Sequence, residues 1–197
     1  MTRVVVLGDA LLDRDLSGSV TRIAPDAPAP VLDVDTAIAR PGGAALAAAL
    51  AARAGAEVVL VAAFGDDDNG AVLRDALRSV GVEVHALPLV GPTPTKTRVR
   101  SGDHTLLRID RPVALGAIGA LDDRLEDRLG AADAVLVADY GRGATNDPRL
   151  RHMLERVRSL VPILWDPHPR GAPPTRGVRL LTPNEGEARR IAGDDAL

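Results

Sequence analysis

A chain of 197 residues with 46% hydrophobic and 26% charged residues is long enough for one well-packed core and ordinary for a globular protein. A net charge of −3 provides no basic footprint for nucleic acid or an anionic membrane surface, and the lack of cysteine excludes disulfides and thiolate metal sites. No apolar run reaches membrane-spanning length, and Val4–Leu7 is too short for the core of a signal peptide, so a reducing compartment, the cytoplasm, is expected.

Val4–Leu7 is a short continuous apolar run that stops at Gly8-Asp9, the pattern of a buried parallel strand. Asp9 and Asp13 are expected just past its C-terminal end, the edge where open α/β sheets gather ligands; either can also simply cap a turn. Residues 14–39 do not read as helix: Pro25, Pro28 and Pro30 break the period, while Val31–Asp35 partly alternates. Extended segments outside the main sheet are expected there.

Arg40-Pro41-Gly42-Gly43 predicts a tight turn that brings bare backbone close to a ligand, followed by an Ala-rich helix from about Gly42 to Arg53 that ends at Gly55. The first-turn N–H groups of such a helix, left unpaired, suit a polar or anionic small molecule. Val58–Ala62 is a second buried strand. The acidic turn Gly65-Asp66-Asp67-Asp68 lacks the later glutamate of a calcium loop, and capping of the helix expected over Ala71–Val80 accounts for it.

Val82–Leu87 is a strand, and the β-prone arms Thr93–Arg100 and His104–Asp110 around Ser101-Gly102-Asp103 predict a hairpin. With residues 14–39 it would make a small second sheet over the edge of the first, a cover that excludes water. A helix is then expected over Ile118–Leu129, a strand over Ala134–Ala138 ending at Asp139, and a helix from Asp147-Pro148 to about Leu160. Strands Ile163–Trp165 and Val178–Leu181 and a helix over Glu185–Ala192 complete the series. The recurring strand that stops at a polar residue (Asp9, Asp66, Asp139, Asp166, Asn184) and passes into a helix predicts an α/β fold. Its sheet would be mostly parallel, with helices on both faces and the polar residues along one edge. No G-x-G-x-x-G fingerprint follows any strand, and the four histidines carry no metal-site spacing.

Together these residues resemble the ribokinase-like (PfkB) carbohydrate kinases. The resemblance rests on Gly8-Asp9-x-x-x-Asp13, Pro41-Gly42-Gly43-Ala44-Ala45, Gly65-Asp66-Asp67-Asp68-x-Gly70 and Thr182-Pro183-Asn184-x-x-Glu187. Arg22–Val31, Thr95-Lys96-Thr97-Arg98, Leu107-Arg108-Ile109-Asp110, Asp139-Tyr140-x-x-Gly143 and Asp166-Pro167 are similar, more narrowly, to the heptose 7-phosphate kinase domain. In bacteria that domain is often joined to a nucleotidyltransferase for ADP-heptose synthesis. The resemblance implies a partial ribokinase-like domain over 1–197, with lid segments at about 14–39 and 93–111. The implied reaction is transfer of the ATP γ-phosphate to the C1 hydroxyl of a sugar phosphate, heptose 7-phosphate becoming the 1,7-bisphosphate, with Mg2+.

The residues carried over are Asp13 for sugar hydroxyls, Gly42 and Gly43 for close approach of the helix start, and Lys96, Arg98 and Arg108 on the lid for the substrate's phosphate. Asp139 would sit beside the sugar and Arg142 near its phosphate, while Asn184 and Glu187 would position the nucleotide and contact Mg2+ through water. A homodimer through the lid and a fused nucleotidyltransferase are the implied partners.

Three departures accompany the likeness. Leu46 stands where the family has an Asn that contacts the sugar, and His168 replaces the Lys common after Asp-Pro. Relatives also continue past the position of Leu197 through a Gly-Ala-Gly-Asp motif that supplies the anion hole and general base, so this chain alone is expected to be inactive and to expose apolar surface on one side of the sheet. Two other readings are a non-catalytic remnant that binds a sugar or a partner, which Leu46 favours, and a ribokinase-like kinase for another sugar such as fructose 6-phosphate or ribose.

Overall fold

Runs of branched apolar residues bury both faces only inside a sheet that is covered on both sides. The computed structural model describes residues 1–89, 91–111, 118–122 and 124–193. Its elements are β1 (Arg3–Gly8), β2 (Ala10–Ile23), β3 (Pro30–Gly43), α1 (Ala44–Arg53), β4 (Glu57–Ala63), α2 (Asp68–Arg78), β5 (Val82–Leu87), β6 (Thr95–Ser101), β7 (His104–Arg111), α3 (Arg124–Gly130), β8 (Ala134–Ala138), α4 (Pro148–Val157), β9 (Ile163–Asp166), β10 (Leu180–Leu181) and α5 (Glu185–Ala192).

The main sheet has the order β10-β9-β8-β1-β4-β5, and each neighbouring pair runs parallel. On one face Val5, Leu7, Val135, Val137, Ile163 and Trp165 pack against Leu125 and Leu129 of α3 and Leu150, Leu154 and Val157 of α4. On the other, Val6, Val58, Leu60 and Val82 meet Ala44, Ala45, Ala48 and Ala49 of α1 and Leu73 and Leu77 of α2. Alanine along the buried side of α1 leaves room for its backbone to lie close to the sheet. Toward the β10 edge this second face is less covered: Leu180 is 50% exposed, and Leu46 and Leu50 of α1 are 39% and 54% exposed.

A second, four-stranded sheet of order β3-β2-β6-β7 includes both segments expected outside the main sheet. β2 pairs antiparallel with β3 and parallel with β6, and β6 pairs antiparallel with β7. Its base is anchored by Ala10, Leu11 and Leu12, all at most 2% exposed, while every residue of β7 is exposed.

Several sequence expectations need correction. Asp13 is not in a turn just past the first strand; the chain re-enters a strand at Ala10, so Asp13 belongs to β2 in the smaller sheet. Pro41-Gly42 is no tight turn either. β3 stays paired through Arg40, Pro41, Gly42 and Gly43, and only Gly43, at φ 62, redirects the backbone into α1. A side chain at Gly43 would also run into the carbonyl of Asp9, so glycine is required there twice over. Pro41 is tolerated because β3 is an edge strand. Residues 118–122 are not helical, and α3 begins only at Arg124; the remaining position of that expected helix, 123, lies outside the described residues. The final strand is two residues, shorter than Val178–Leu181.

Candidate functional site

Loops at the C-terminal ends of parallel strands meet along one edge, and the smaller sheet rises from that same edge. Asp13, the fourth residue of β2, lies beside Gly42 of the paired strand β3. A Cβ on Gly42 would come within 2.5 Å of Asp13 Oδ2, so a bare backbone there is what leaves this carboxylate room. Asp13 Oδ1 accepts a hydrogen bond from Arg98 Nη1 of β6 at 3.1 Å, and the pair is mostly shielded, with side chains 14% and 34% exposed.

Strand alternation puts Lys96 and Arg98 of β6, Asp13 and Asp15 of β2 and Arg108 and Asp110 of β7 on one face of the smaller sheet. Arg108 stands one strand further out, more than half exposed, and pairs with Asp110 at 3.1 Å. Lys96 is half-buried between Asp13 and Asp110 in register. Asp15 pairs with Arg40 across β2 and β3. The opposite face carries Leu16, Val99, Leu107 and Ile109, of which Leu107 and Ile109 are 55% and 51% exposed.

On the main sheet, Asp139 follows β8 and is buried. Its Oδ1 accepts from the N–H of Gly141 and its Oδ2 from Thr145 Oγ1, both at 2.7 Å. Burial is the chief reason its carboxyl titrates above 3.8; the two hydrogen bonds oppose that, and the charge of Asp9 adds to it. The phenol of Tyr140 is pushed up mainly by burial, then by the charges of Asp166 and Asp13. The Tyr140 ring lies 3.5 Å from where a Cβ on Gly43 would stand, which joins the β8 loop to the start of α1. The guanidinium of Arg142, half-buried in the same loop, has no hydrogen bond or ion pair within the described residues.

At the far end, Asp166 closes β9 and accepts from Thr182 Oγ1 at 3.3 Å. Its carboxyl is also raised, first by burial and further by Glu187 and Asp139. Asn184 and Glu187 form a reciprocal cap on α5: Asn184 Oδ1 accepts from the N–H of Glu187 at 3.0 Å, and Glu187 Oε2 accepts from the N–H of Asn184 at 2.9 Å. A cavity of about 330 Å³ adjoins this end, between the 167–174 loop and α5, lined among others by His168, Gly171, Glu187 and Arg190.

The sequence-derived residues Asp13, Gly42, Gly43, Lys96, Arg98, Asp139, Arg142, Asn184 and Glu187 thus follow one edge, linked through Tyr140 and Asp166. Arg108 is at the outer rim, and Asp66 is on the surface, paired with Arg74 and 99% exposed. The first N–H of α1 is not open to a ligand, because Ala44 donates to the carbonyl of Asp9 at 3.0 Å; among the described residues no side chain caps that helix. The acidic turn acts as a cap: Asp67 accepts from the N–H groups of Gly70 and Thr93 at 2.9 and 3.1 Å. Sequence reasoning assigned no site role to Tyr140 or Asp166, although Asp166 shares the strand-then-acid pattern that singled out Asp139.

The profile of the family described as pfkB family carbohydrate kinase matches residues 1–196. Bifunctional protein HldE of Streptomyces coelicolor is 50% identical over 191 residues, which cover 97% of this chain and 40% of that protein. Bifunctional protein HldE of Aeromonas salmonicida is 38% identical over 195 residues, 97% of this chain and 41% of that one. The chain therefore spans about two fifths of the length of these curated relatives. Among solved structures, a carbohydrate kinase from Agrobacterium tumefaciens superposes with a TM-score of 0.72 at 22% identity, over 98% of this chain and 64% of that one. Arabidopsis thaliana ribokinase complexed with ribose and ATP gives 0.70 at 20% identity, with the same coverage. The shared fold is ribokinase-like.

Proposed function

This chain belongs to the pfkB family of carbohydrate kinases, and from that premise we propose that it forms the sugar-phosphate side of an ATP-dependent kinase site, with a heptose 7-phosphate as substrate. The observation that carries the reading is the Asp13–Arg98 pair beside Gly42: an acceptor for sugar hydroxyls and a cation, held together at the foot of the smaller sheet. Lys96, on the same face, and the uncommitted guanidinium of Arg142 supply further positive charge for a phosphate already on the sugar. Asp139 borders the sugar from the main sheet. The smaller sheet is the lid, and Arg108 at its rim reaches the substrate only as the lid closes.

The nucleotide is placed at the other end, where Asn184 and Glu187 meet Asp166. Both capping residues keep a polar atom outside the cap, Asn184 Nδ2 and Glu187 Oε1. Among the described residues no group of three or more His, Cys, Asp or Glu can hold a metal directly. That donor set fits a hydrated Mg2+ contacted by Glu187 through water, and the ion when bound neutralises charge on the ATP phosphates. In the transfer the C1 hydroxyl oxygen bonds to the γ-phosphorus and the bond from that phosphorus to the bridging oxygen of ADP breaks. The hydroxyl proton leaves to a general base. The residues described here contribute binding, orientation and shielding from water.

The apolar side of the lid, with Leu107 and Ile109 about half exposed, supports a homodimer that meets through it. The bifunctional HldE relatives support a second domain fused to the whole protein, and the sequence resemblance makes it a nucleotidyltransferase. The cytoplasm suits an ATP-consuming chain without cysteine, and no helix among the described residues is long and apolar enough to cross a membrane. Leu46, on the first turn of α1, favours a second reading in which the cleft serves another sugar or retains binding without transfer.

Calorimetric titration of the chain with a heptose 7-phosphate, fructose 6-phosphate and ribose tests both. The first should bind best, and Asp13→Asn and Arg98→Gln should each weaken it about tenfold or more. A preference for fructose 6-phosphate or ribose supports the second reading; a folded chain that binds none of the three, or binds them equally well in both variants, overturns the proposal.

A further inference from the structure

Tyr140, Arg142 and Ala144 turn their N–H groups toward one point between β1 and β8. That convergence depends on Gly141 and Gly143, which at φ 66 and φ 100 adopt the left-handed conformation between them. Alternating amides arranged in this way make a concavity for an anion. An internal anion fills it. The carboxylate of Asp9, only 4% exposed, accepts from Tyr140 and Arg142 on Oδ2 at 3.0 and 2.9 Å and from Ala144 on Oδ1 at 3.0 Å. The backbone carbonyl of the same residue accepts from Ala44, the first residue of α1. One residue therefore fastens both the loop that carries Asp139 and Arg142 and the helix start that follows Gly42 and Gly43.

We propose that Asp9 is the positioning residue of the substrate site: without touching the sugar, its carboxylate sets the conformation of the 139–144 loop and thereby the placement of Asp139 and Arg142. The inference rests on the sugar-phosphate reading above for what the loop positions, but not for how the loop is held. Three contacts accepted on two oxygens suit a carboxylate of this length. Asparagine offers one oxygen and turns an NH2 toward the remaining amides.

The test uses the whole chain with Asp9→Asn and Asp9→Ala, and Asp66→Asn as a surface control with the same charge change. In Asp9→Asn at least one of the amides of Tyr140, Arg142 and Ala144 should exchange with solvent about tenfold faster or more, while those of β4 stay as protected as in the parent. Affinity for a heptose 7-phosphate should fall about tenfold in Asp9→Asn and further in Asp9→Ala, and formate added to Asp9→Ala should restore protection at the three amides and part of the affinity. A residue that merely stabilises the fold would loosen β4 as well and would show no formate effect; either result overturns the proposal. Unchanged exchange at all three amides in Asp9→Asn overturns it too, and this variant carries the test if Asp9→Ala does not fold. A parent chain that binds no sugar phosphate overturns the functional reading alone, because the exchange and formate measurements do not depend on it.

Discussion

The two sheets are held together by different means. In the main sheet Val6, Leu7, Leu60 and Val61 are fully buried, between helices on both faces. Among the described residues no helix covers either face of β7 in the smaller sheet, whose order comes from ladder hydrogen bonds, the Asp13–Arg98 and Asp15–Arg40 pairs and its buried base. A scaffold fixed by packing holds Asp139, Arg142 and Asp166, and a sheet with little packing of its own carries Asp13, Lys96, Arg98 and Arg108. Sites assembled in this way leave the less packed half free to respond to what binds beneath it.

The contrast is sharpest in truncations. Leu154→Ala, on α4 in the core, should lower stability by about 2–5 kcal/mol, whereas Ile109→Ala on the exposed face of β7 should change it by no more than about 0.5 kcal/mol. Urea midpoints at constant m-value measure both, and equal losses would erase the distinction. The seam between the regions comes next. Asp67 caps α2 and binds both the N–H and the hydroxyl of the fully buried Thr93, just before β6. Asp67→Ala removes the cap and takes the acceptor from the N–H of buried Thr93, whose hydroxyl keeps the Gly65 carbonyl; the loss should cost about 2–3 kcal/mol. It should also loosen the amides of β6 before those of β4; the reverse order would assign the seam to the main sheet.

How far each region was legible in the sequence follows the same division. Main-sheet strands are buried on both faces and read as apolar runs, so β8 (Ala134–Ala138) was found with its ends in place, and the capped α5 (Glu185–Ala192) likewise. Strands of the smaller sheet mix polar and apolar residues and are partly exposed on both faces, so nothing in their composition shows where they stop. β2 therefore began earlier than expected, and Pro41-Gly42 read as a turn. Site residues are harder for a chemical reason. Asp9 and Asp13 are the same residue type four positions apart, yet one accepts from backbone amides and the other faces a cation. Asn184-x-x-Glu187 is at once a family motif and an ordinary capping box, and only coordinates reveal which oxygens the cap uses.

A smaller effect probes the junction itself. Leu46 lies in the first turn of α1, 39% exposed, where the sequence comparison expected an amide. If the cleft binds a sugar hydroxyl there, Leu46→Asn should tighten sugar-phosphate binding about three- to tenfold, with a helix cost of no more than about 0.5 kcal/mol. An unchanged affinity in calorimetry would place the sugar away from α1.

The smallest expected effect concerns pH, and it separates the packed carboxylates from the exposed ones. Burial, then the charges of Glu187 and Asp139, raise the carboxyl of Asp166 above 3.8, against the pull of the Thr182 hydroxyl. A carboxyl that holds its proton more tightly in the folded chain than in the unfolded one contributes fully below 3.8, and its contribution declines as pH rises through the raised value. Asp166→Asn lacks this decline. Its melting temperature relative to the parent should therefore climb as pH rises from about 3.8 through the raised value and then level off. Asp66→Asn, at a nearly fully exposed position, is the control for the change of charge. A difference that is flat or falls with pH for Asp166→Asn would mean that the acidic end of the cleft is open to water, and the division between a packed scaffold and a solvent-exposed lid would not extend to its charges.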